Sequence, residues 1–352
     1  MTLGVYPRIS LATARARYGK AREELEDHGR DPGAALVNSK RARRDAPTVE
    51  DLADEYLEKW AKRRKRSWKE DERILKNDVR PAIGHKKAAD VVRRDIIDLL
   101  DAVVERGAPI AANKTLAITR KMFRFGVSQD LVPHNPCEAV QAPAEARRRD
   151  RVLLAAEIKK LWGVLEEGDI KMTPGIRLCL QLMLVTAQRR AEVATATWAD
   201  IDMSSGWWTI PERAAKIKLP HRVPLSPLAK SLLNRAKSDG KNSEYVFPNP
   251  SGNGPIRADA ISKAVRRNEG KFEIDHFAPH DLRRTAASQM ASAGTPRLTI
   301  GKILNHVESG VTATYDRHSY DQEKRKTLNA WGRRLESMTT SRKAKVIELK
   351  TG

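Results

Sequence analysis

Helical periodicity runs through most of this chain, and one short region breaks it. Apolar residues recur at three- and four-residue spacing over much of 48–128 and again beyond residue 155. The exceptions are WWTI at 207–210 and HRVPLS at 221–226, where the spacing becomes two around the polar stretch PERAAKIKLP. This pattern predicts a mainly α fold with one β-hairpin, which forms a small antiparallel sheet inside an otherwise helical domain.

Two basic stretches with little apolar periodicity divide the chain. They are DPGAALVNSKRARRDAP, which ends at Pro47, and PAEARRRDR at 143–151, and both are typical of linkers. After the first, Thr48 and Asp51 predict a capping box that opens a region of four helices. The sequence therefore predicts an N-terminal segment at 1–40, a helical domain at 45–142, a mixed α+β domain at 151–340 and a basic tail at 341–352.

The charge balance points to a polyanionic partner. The 352 residues carry 66 Lys and Arg against 45 Asp and Glu, a net charge of +21, and bound cations release the counterions of nucleic-acid phosphates. The most apolar stretch, 176–187, contains Arg177 and Gln181 and is shorter than the ~20 residues that span a bilayer. Because no secretory signal is visible either, we expect a cytoplasmic protein that binds no membrane. Cys137 and Cys179 lie far apart without CxxC spacing, which predicts core thiols.

Basic residues of the helical domain are interleaved with apolar ones. A run of Lys and Arg lies between Trp60 and Trp68, and further cations follow on the fourth helix, where Leu116, Met122 and Phe123 are predicted to be buried. A run of this kind either tracks a DNA backbone or forms a solvated helix face. The residues predicted to contact DNA are Arg63, Arg64, Lys65, Arg66, Lys114, Arg120 and Lys121.

The second domain contains the residue types that phosphodiester chemistry needs. They are Arg189 and Glu192 in TAQRRAE, His280 and Arg283 in PHDLRRT, His306 in ILNH, and Tyr315 in TATYDRH, nine residues after His306. The planar guanidinium forks of Arg189 and Arg283 suit bidentate binding of a phosphate whose charge must be stabilised in the transition state. Such a pair can take the place of a metal ion, and we expect neither a metal nor a cofactor.

Proton transfer completes the predicted chemistry. A phenol with an ordinary pKa near 10 attacks at neutral pH only if an imidazole receives its proton, and His280 and His306 are available to Tyr315. Lys216, at the tip of the predicted hairpin, can protonate the leaving oxygen if nearby positive charge lowers its pKa. His276 and His280 have i, i+4 spacing, but Pro279 breaks the helical face that a metal pair would use.

These residues resemble the tyrosine recombinases, specifically the integrases of temperate phages and integrative elements. The family pattern T-G-x-R-x-x-E matches Thr186, Arg189 and Glu192; its H-x-x-R matches His280 and Arg283; its third basic position, usually in L-G-H, matches His306; and its nucleophile matches Tyr315. Spacing favours Tyr315 over Tyr320 as the nucleophile. The segment KIKLPHRVPLS resembles the one that carries the family's hairpin lysine, which alignment places at Lys216 rather than Lys218.

The resemblance implies a fold and a reaction. It implies a helical core-binding domain, a mixed α+β catalytic domain, and cleavage of double-stranded attachment sites through a 3′-phosphotyrosine that the 5′-hydroxyl of a partner duplex then attacks. It also implies a homotetramer on DNA, with accessory DNA-bending and excision factors. Two other functions remain open at this point: a topoisomerase-like nicking and closing enzyme, which would relax supercoils on one duplex, and a decayed DNA-binding protein that no longer cleaves.

Several details stay open on the sequence alone. Residues 3–32 are similar to the end of an arm-site binding module, whose preceding strands are absent here. Ala187 and Asn305 stand where the family usually has glycine, which matters only if the backbone there needs φ > 0. In the last helix, Leu328, Trp331 and Leu335 have the spacing to dock either on a neighbouring protomer or on their own domain. Tyr6, Trp207 and Trp208 are predicted to be core residues.

Overall fold

The computed structural model describes residues 4–29, 31, 34, 37, 41, 44–145, 150–215, 219–239, 243–306 and 318–340. The chain forms two compact units, 1–148 and 149–352. Helices dominate both units, and a small antiparallel sheet lies in the second, so the predicted fold class is confirmed. None of the helices in the described ranges is long and apolar enough to cross a membrane.

The first helix, α1 (Leu11–His28), is solvated on every side. The Ser10 hydroxyl caps it by accepting the backbone N–H of Thr13, and Gly29 ends it with φ 60°. No side chain of α1 is buried, and Tyr6 just before it is 85% exposed. The prediction that Tyr6 is a core residue is therefore wrong, because the chain around it packs against no apolar surface among the described residues.

Four α-helical segments lie between Val49 and Ser128, as the periodicity predicts. Two of them contain a π-helical turn, which the sequence did not reveal. The segments are α2 (Val49–Tyr56), which continues through Leu57–Ala61 into Lys62–Arg64; α3 (Trp68–Ile74), which continues through Leu75–Val79 into Arg80–Ile83; α4 (Arg93–Glu105); and α5 (Pro109–Ser128). The capping box at the start of α2 is confirmed: the Thr48 hydroxyl accepts from Asp51 N, and the Asp51 carboxylate accepts from Thr48 N.

The core of the first unit combines apolar packing with one buried polar pair. Leu116, Met122 and Phe123 are buried, as predicted. The Tyr56 hydroxyl donates to the Asp71 carboxylate at 2.7 Å, and both partners are buried. Lys65 Nζ lies 2.6 Å from the same carboxylate. Lys65 thus supplies the positive charge that the buried carboxylate of Asp71 needs. Together the two contacts join the α2 segment to α3.

The second unit contains eight α-helices and three strands in the described ranges. In chain order they are α6 (Ala155–Glu167), α7 (Pro174–Thr186), α8 (Arg190–Ala194), β1 (Ile201–Asp202), β2 (Trp207–Ile210), β3 (His221–Pro224), α9 (Pro227–Asp239), α10 (Ala258–Arg267), α11 (Pro279–Ser292), α12 (Arg297–Ile303) and α13 (Asp321–Thr339). Strand β1 was not predicted, since two residues are too short to show a period.

The sheet has the order β1-β2-β3 and is antiparallel throughout. Trp208 pairs with Val223 across β2 and β3, and both side chains are buried in the domain core. Trp207 faces the opposite side, because successive side chains of a strand alternate. There it lies beneath the guanidinium groups of Arg222 and Arg325, so the core prediction holds for Trp208 and is wrong for Trp207.

Helix α7 is the centre of the second unit. Every residue from Leu178 to Thr186 is buried, and α7 packs against α6, α9, α11 and α13. Leu328, Trp331 and Leu335 of α13 are buried in this same core, and the Trp331 indole donates to the Leu184 carbonyl oxygen at 2.9 Å. The apolar face of α13 thus packs on its own domain, which is one of the two arrangements that the spacing allows.

Replacing Trp331 with Phe tests how much this packing stabilises the unit. The change removes the hydrogen bond to Leu184 and part of a buried ring, so the free energy of unfolding should fall by about 1–3 kcal/mol. Urea denaturation of the full chain, followed by far-UV circular dichroism, measures it. Arg334→Ala, at an exposed position of α13, is the matched control and should change stability by less than about 0.5 kcal/mol.

Candidate active site

Two non-glycine residues in left-handed conformation frame the site. Ala187 ends α7 with φ 57° and is fully buried, and Asn305 follows α12 with φ 48°. An L-residue in this region is strained by roughly 1–2 kcal/mol, and asparagine tolerates it better than most. The two departures from glycine therefore fall at backbone positions that glycine would favour.

Arg283 connects these two turns from helix α11. Its side chain is buried, and Nη1 donates to the Ala187 carbonyl oxygen at 2.9 Å. Its Nη2 donates to the Leu304 carbonyl oxygen. Because the turns come from distant parts of the chain, one guanidinium holds them together.

Arg189 reaches the same region from the start of α8. Its Nη2 donates to the Asn305 carbonyl oxygen at 3.0 Å, and its Nη1 donates to Glu192 Oε1 at 2.8 Å. The other carboxylate oxygen of Glu192 accepts the backbone N–H of Arg189 at 2.9 Å. Glu192 is buried, so it fixes both the backbone and the guanidinium of Arg189.

The last residue of α12 and the two residues after it present three consecutive carbonyl groups to side chains from elsewhere. Ile303 O accepts from Gln188 Nε2 and contacts His221 Nε2, each at 3.0 Å, while Leu304 O accepts from Arg283 and Asn305 O from Arg189. The carboxyl end of a helix carries partial negative charge, which favours cations there. These bonds fix the backbone immediately before His306.

The arginines give the site an excess of positive charge. Burial and the nearby charge of Arg189 lower the pKa of Arg283 to about 10, while Glu192 acts in the opposite direction. One buried carboxylate thus faces two guanidinium groups. A bound anion would relieve this imbalance, and a phosphate offers oxygens in the geometry that guanidinium forks match.

His280 and His306 line one cleft of 380 Å³ together with Arg283 and Arg284. Desolvation and the neighbouring arginines lower the pKa of both imidazoles below the ordinary value. Both side chains are therefore neutral at pH 7, the form that accepts a proton. His280 is placed by the first turn of α11, which Asp281 caps through the Ala278 N–H at 2.8 Å.

Sequence reasoning missed His221 and Gln188, although both lie inside the motifs TAQRRAE and PHRVPLS. Gln188 is fully buried and His221 is 6% exposed. Burial lowers the pKa of His221 to about 4, with Lys324 as the next contribution. The signal available in the sequence was the inward position of His221 in the period-two pattern of β3, two residues before buried Val223.

Two predicted site residues, Lys216 and Tyr315, lie outside the described residues, as does the alternative lysine, Lys218. The described Tyr320 is the N-cap of α13 with φ 53°. Its ring lies 4.8 Å from Lys302 Nζ and 4.7 Å from the His318 ring. The choice between Tyr315 and Tyr320 continues to rest on spacing.

The predicted DNA-binding residues of the first unit differ in their surroundings. Arg63, Arg64, Arg66 and Lys114 are exposed, and Lys121 Nζ lies 4.4 Å from the Trp60 ring centroid. Lys65 is engaged by buried Asp71. Arg120 donates to the Cys137 and Val140 carbonyl oxygens, at 3.1 and 2.7 Å, which gives it a structural contact at the end of the domain.

Comparison with known proteins places the chain in a family. Residues 151–322 match the model of the phage integrase family, and residues 49–143 match that of the phage integrase central domain. The chain belongs to the phage integrase family. It is 29% identical to the prophage integrase IntZ of Escherichia coli (strain K12), over 96% of this chain and 83% of that one.

Other relatives agree with this assignment. The integrase is 25% identical to the tyrosine recombinase XerC of Xanthomonas campestris pv. campestris (strain B100), over 66% of this chain and 72% of that one. Its fold resembles a lambda integrase tetramer bound to a Holliday junction, with TM-score 0.65 and 19% identity over 86% of this chain and 89% of that one. The protein is therefore a site-specific tyrosine recombinase, an enzyme that breaks and rejoins DNA.

The stability of the integrase should depend on pH through His221. Between pH 6.5 and about 4 the unfolded chain binds a proton at this position that the folded chain does not. The contribution of His221 to stability is therefore complete above about pH 6.5, and it falls by about 3 kcal/mol as the pH drops through this window. In urea unfolding at pH 7.5 and 4.5, His221→Gln should reduce that loss and still offer a donor to Ile303. His134→Gln, at an exposed position of the first unit, is the matched control for the substitution itself.

The left-handed turn at Asn305 gives a second test. Asn305→Val places a β-branched residue at φ 48° and should lower the free energy of unfolding by about 1–2 kcal/mol. Asn305→Gly removes the strain at the same position and should be tolerated within about 0.5 kcal/mol. Thermal melts of the two variants provide the comparison. Equal melting temperatures would contradict the assigned backbone conformation.

Proposed function

We propose that the integrase cleaves double-stranded attachment sites by attack of Tyr315 on a phosphodiester bound between Arg189 and Arg283. The observation that carries this proposal is the convergence of the two guanidinium groups on adjacent carbonyls, Leu304 and Asn305. Both arginines lie beside His306, and His280 lines the cleft that Arg283 and His306 share. An excess of positive charge and two neutral imidazoles thus meet in one place, and Tyr315 follows His306 by nine residues in the sequence.

The proposed reaction begins with proton transfer from the phenol. Tyr315 Oη forms a bond to phosphorus as its proton passes to His280 or His306, whose lowered pKa values keep them neutral at pH 7. The bond from phosphorus to the 5′ oxygen breaks, and Lys216 donates a proton to that oxygen. The DNA is left with a 3′-phosphotyrosine and a free 5′-hydroxyl, so the 5′-hydroxyl of a partner duplex can reverse the step.

The two arginines stabilise charge rather than move protons. Each retains N–H donors beyond those used for carbonyl groups, since a guanidinium carries five. Glu192 orients Arg189 and keeps it in place before DNA binds. Loss of one donor to the developing charge costs on the order of 2.7–4 kcal/mol in comparable sites.

We propose 45–142 as the core DNA-binding domain and 151–340 as the catalytic domain. Exposed Arg63, Arg64 and Lys114 favour contact with the phosphate backbone, while the engagement of Lys65 and Arg120 inside the domain favours a structural role for them. We also propose that the integrase forms a homotetramer on two duplexes and acts in the cytoplasm with accessory DNA-bending and excision factors. The lambda integrase whose fold it resembles is a tetramer bound to a Holliday junction.

A suicide-substrate assay tests the proposal. Nicked duplexes tiled across the junctions between the host chromosome and the element that encodes the integrase would trap the covalent intermediate, because the cleaved fragment diffuses away. Wild type should form an adduct that resists denaturing electrophoresis. Tyr315→Phe should bind the same DNA and form none, whereas Tyr320→Phe should still form it. An adduct that survives in Tyr315→Phe would reassign the nucleophile.

A further inference from the structure

Neighbouring residues of β3 tie the hairpin to two different parts of the catalytic domain. On one face, His221 Nε2 lies 3.0 Å from the Ile303 carbonyl oxygen in the turn before His306. On the other face, the Arg222 guanidinium donates to the Asp321 carboxylate. Asp321 is the first residue of α13. Strand β3 therefore contacts both the turn that precedes His306 and the first turn of α13.

Lys324, one turn into α13, strengthens the second connection. Its side chain is buried, and Nζ lies 2.9 Å from Asp321 Oδ1 and donates to the Arg222 carbonyl oxygen at 3.0 Å. The backbone of β3 and the side chain of Arg222 are therefore both held by the first turn of α13. Sliding of the strand along the helix would break both contacts.

Trp207 extends the same arrangement to β2. The Arg222 and Arg325 guanidinium carbons lie 4.2 and 4.5 Å from its ring centroid, within range of a cation–π interaction. Arg325 also donates to the Ser205 carbonyl oxygen at 3.0 Å. We call this group the hairpin clamp: Trp207, Arg222, Asp321, Lys324 and Arg325. Asp321 is the one carboxylate of the clamp, and it pairs with two of its cations, Arg222 and Lys324.

The clamp joins the two segments that the proposed function must align. The loop between β2 and β3 contains Lys216, and α13 begins six residues after Tyr315. We propose that Asp321 and Arg222 are positioning residues that keep Lys216 aligned with Tyr315. This inference rests on the proposed function. The lysine then meets the 5′ oxygen as the bond to phosphorus breaks.

A direct contact of Arg222 with DNA is the competing explanation, because its side chain is 50% exposed. The two explanations predict different effects when the Asp321 carboxylate is removed. If the clamp only modulates DNA binding, removing a carboxylate beside a cationic cleft should tighten binding and leave cleavage as fast as before. If the clamp positions the lysine, cleavage should slow although binding is unchanged or tighter.

The test variant is therefore Asp321→Asn in the full chain, on the nicked duplexes described above. Its single-turnover cleavage rate should fall about tenfold, which corresponds to about 1.4 kcal/mol in the barrier, while the Kd for DNA does not rise. Arg222→Lys keeps a cation and should lose less activity than Arg222→Ala. Glu323→Gln, an acid in the same first turn with a half-exposed side chain, is the matched control and should cleave at the wild-type rate.

A second substrate identifies what the clamp positions. When sulfur replaces the bridging 5′ oxygen, the leaving group is a thiolate, whose acid has a pKa near 8.5 and which needs no proton donor. On this substrate Asp321→Asn and Lys216→Ala should both cleave at the wild-type rate. A defect of Asp321→Asn that persists there would mean that the clamp does not act through the lysine, and the inference would be wrong.

The outcomes separate this inference from the proposed function. If wild type forms no adduct on either substrate, or Tyr315→Phe retains one, the proposed function fails and the inference fails with it. If wild type cleaves through Tyr315 and Asp321→Asn cleaves the oxygen substrate equally fast, the inference alone is overturned. Thermal melts of each variant show whether a slower rate comes with loss of the fold.

Discussion

The hydrogen bonds to the turn at 303–305 are the constraint on which the site depends. Three carbonyl groups in sequence accept donors from Gln188, Arg283 and Arg189, and the last of these bonds joins residues 116 positions apart. The donors to Ile303 and Leu304 satisfy carbonyl groups that the end of α12 would otherwise leave unpaired, and Arg189 satisfies the carbonyl group of Asn305, which follows the helix. The contacts that complete a helix end therefore also fix the two arginines and the backbone before His306.

Burial of the arginines gives this arrangement its rigidity. Arg283 is almost inaccessible to solvent and makes two carbonyl contacts, so its guanidinium has little freedom before substrate binds. Arg189 is held in the same way by Glu192. Preorganised donors stabilise developing charge without rearranging during the reaction. The strain of Ala187 and Asn305 is stored in the same two turns, which is where such strain is expected when the surrounding structure enforces it.

Local patterns explain what the sequence could predict. The apolar spacing predicts the helices, and Thr48 and Asp51 predict the start of α2. The candidate residues follow from short motifs whose side-chain types, order and spacing resemble those of the tyrosine recombinases. Contacts between distant segments explain what was missed. His221 and Gln188 matter because of the Ile303 carbonyl they meet, β1 is visible only through its pairing with β2, and the spacing of Trp331 is the same whether α13 packs on its own domain or on another protomer.

The surplus of cations around Arg189 and Arg283 has a practical consequence for handling the enzyme. Sulfate and phosphate ions in a buffer present the same oxygens as the DNA backbone and would compete for this cleft. By mass action they would favour the folded state over the unfolded one. In a phosphate-rich buffer the enzyme should therefore be more stable against unfolding, but its apparent affinity for DNA should be lower. The choice of buffer anion thus sets a trade-off between shelf life and apparent affinity.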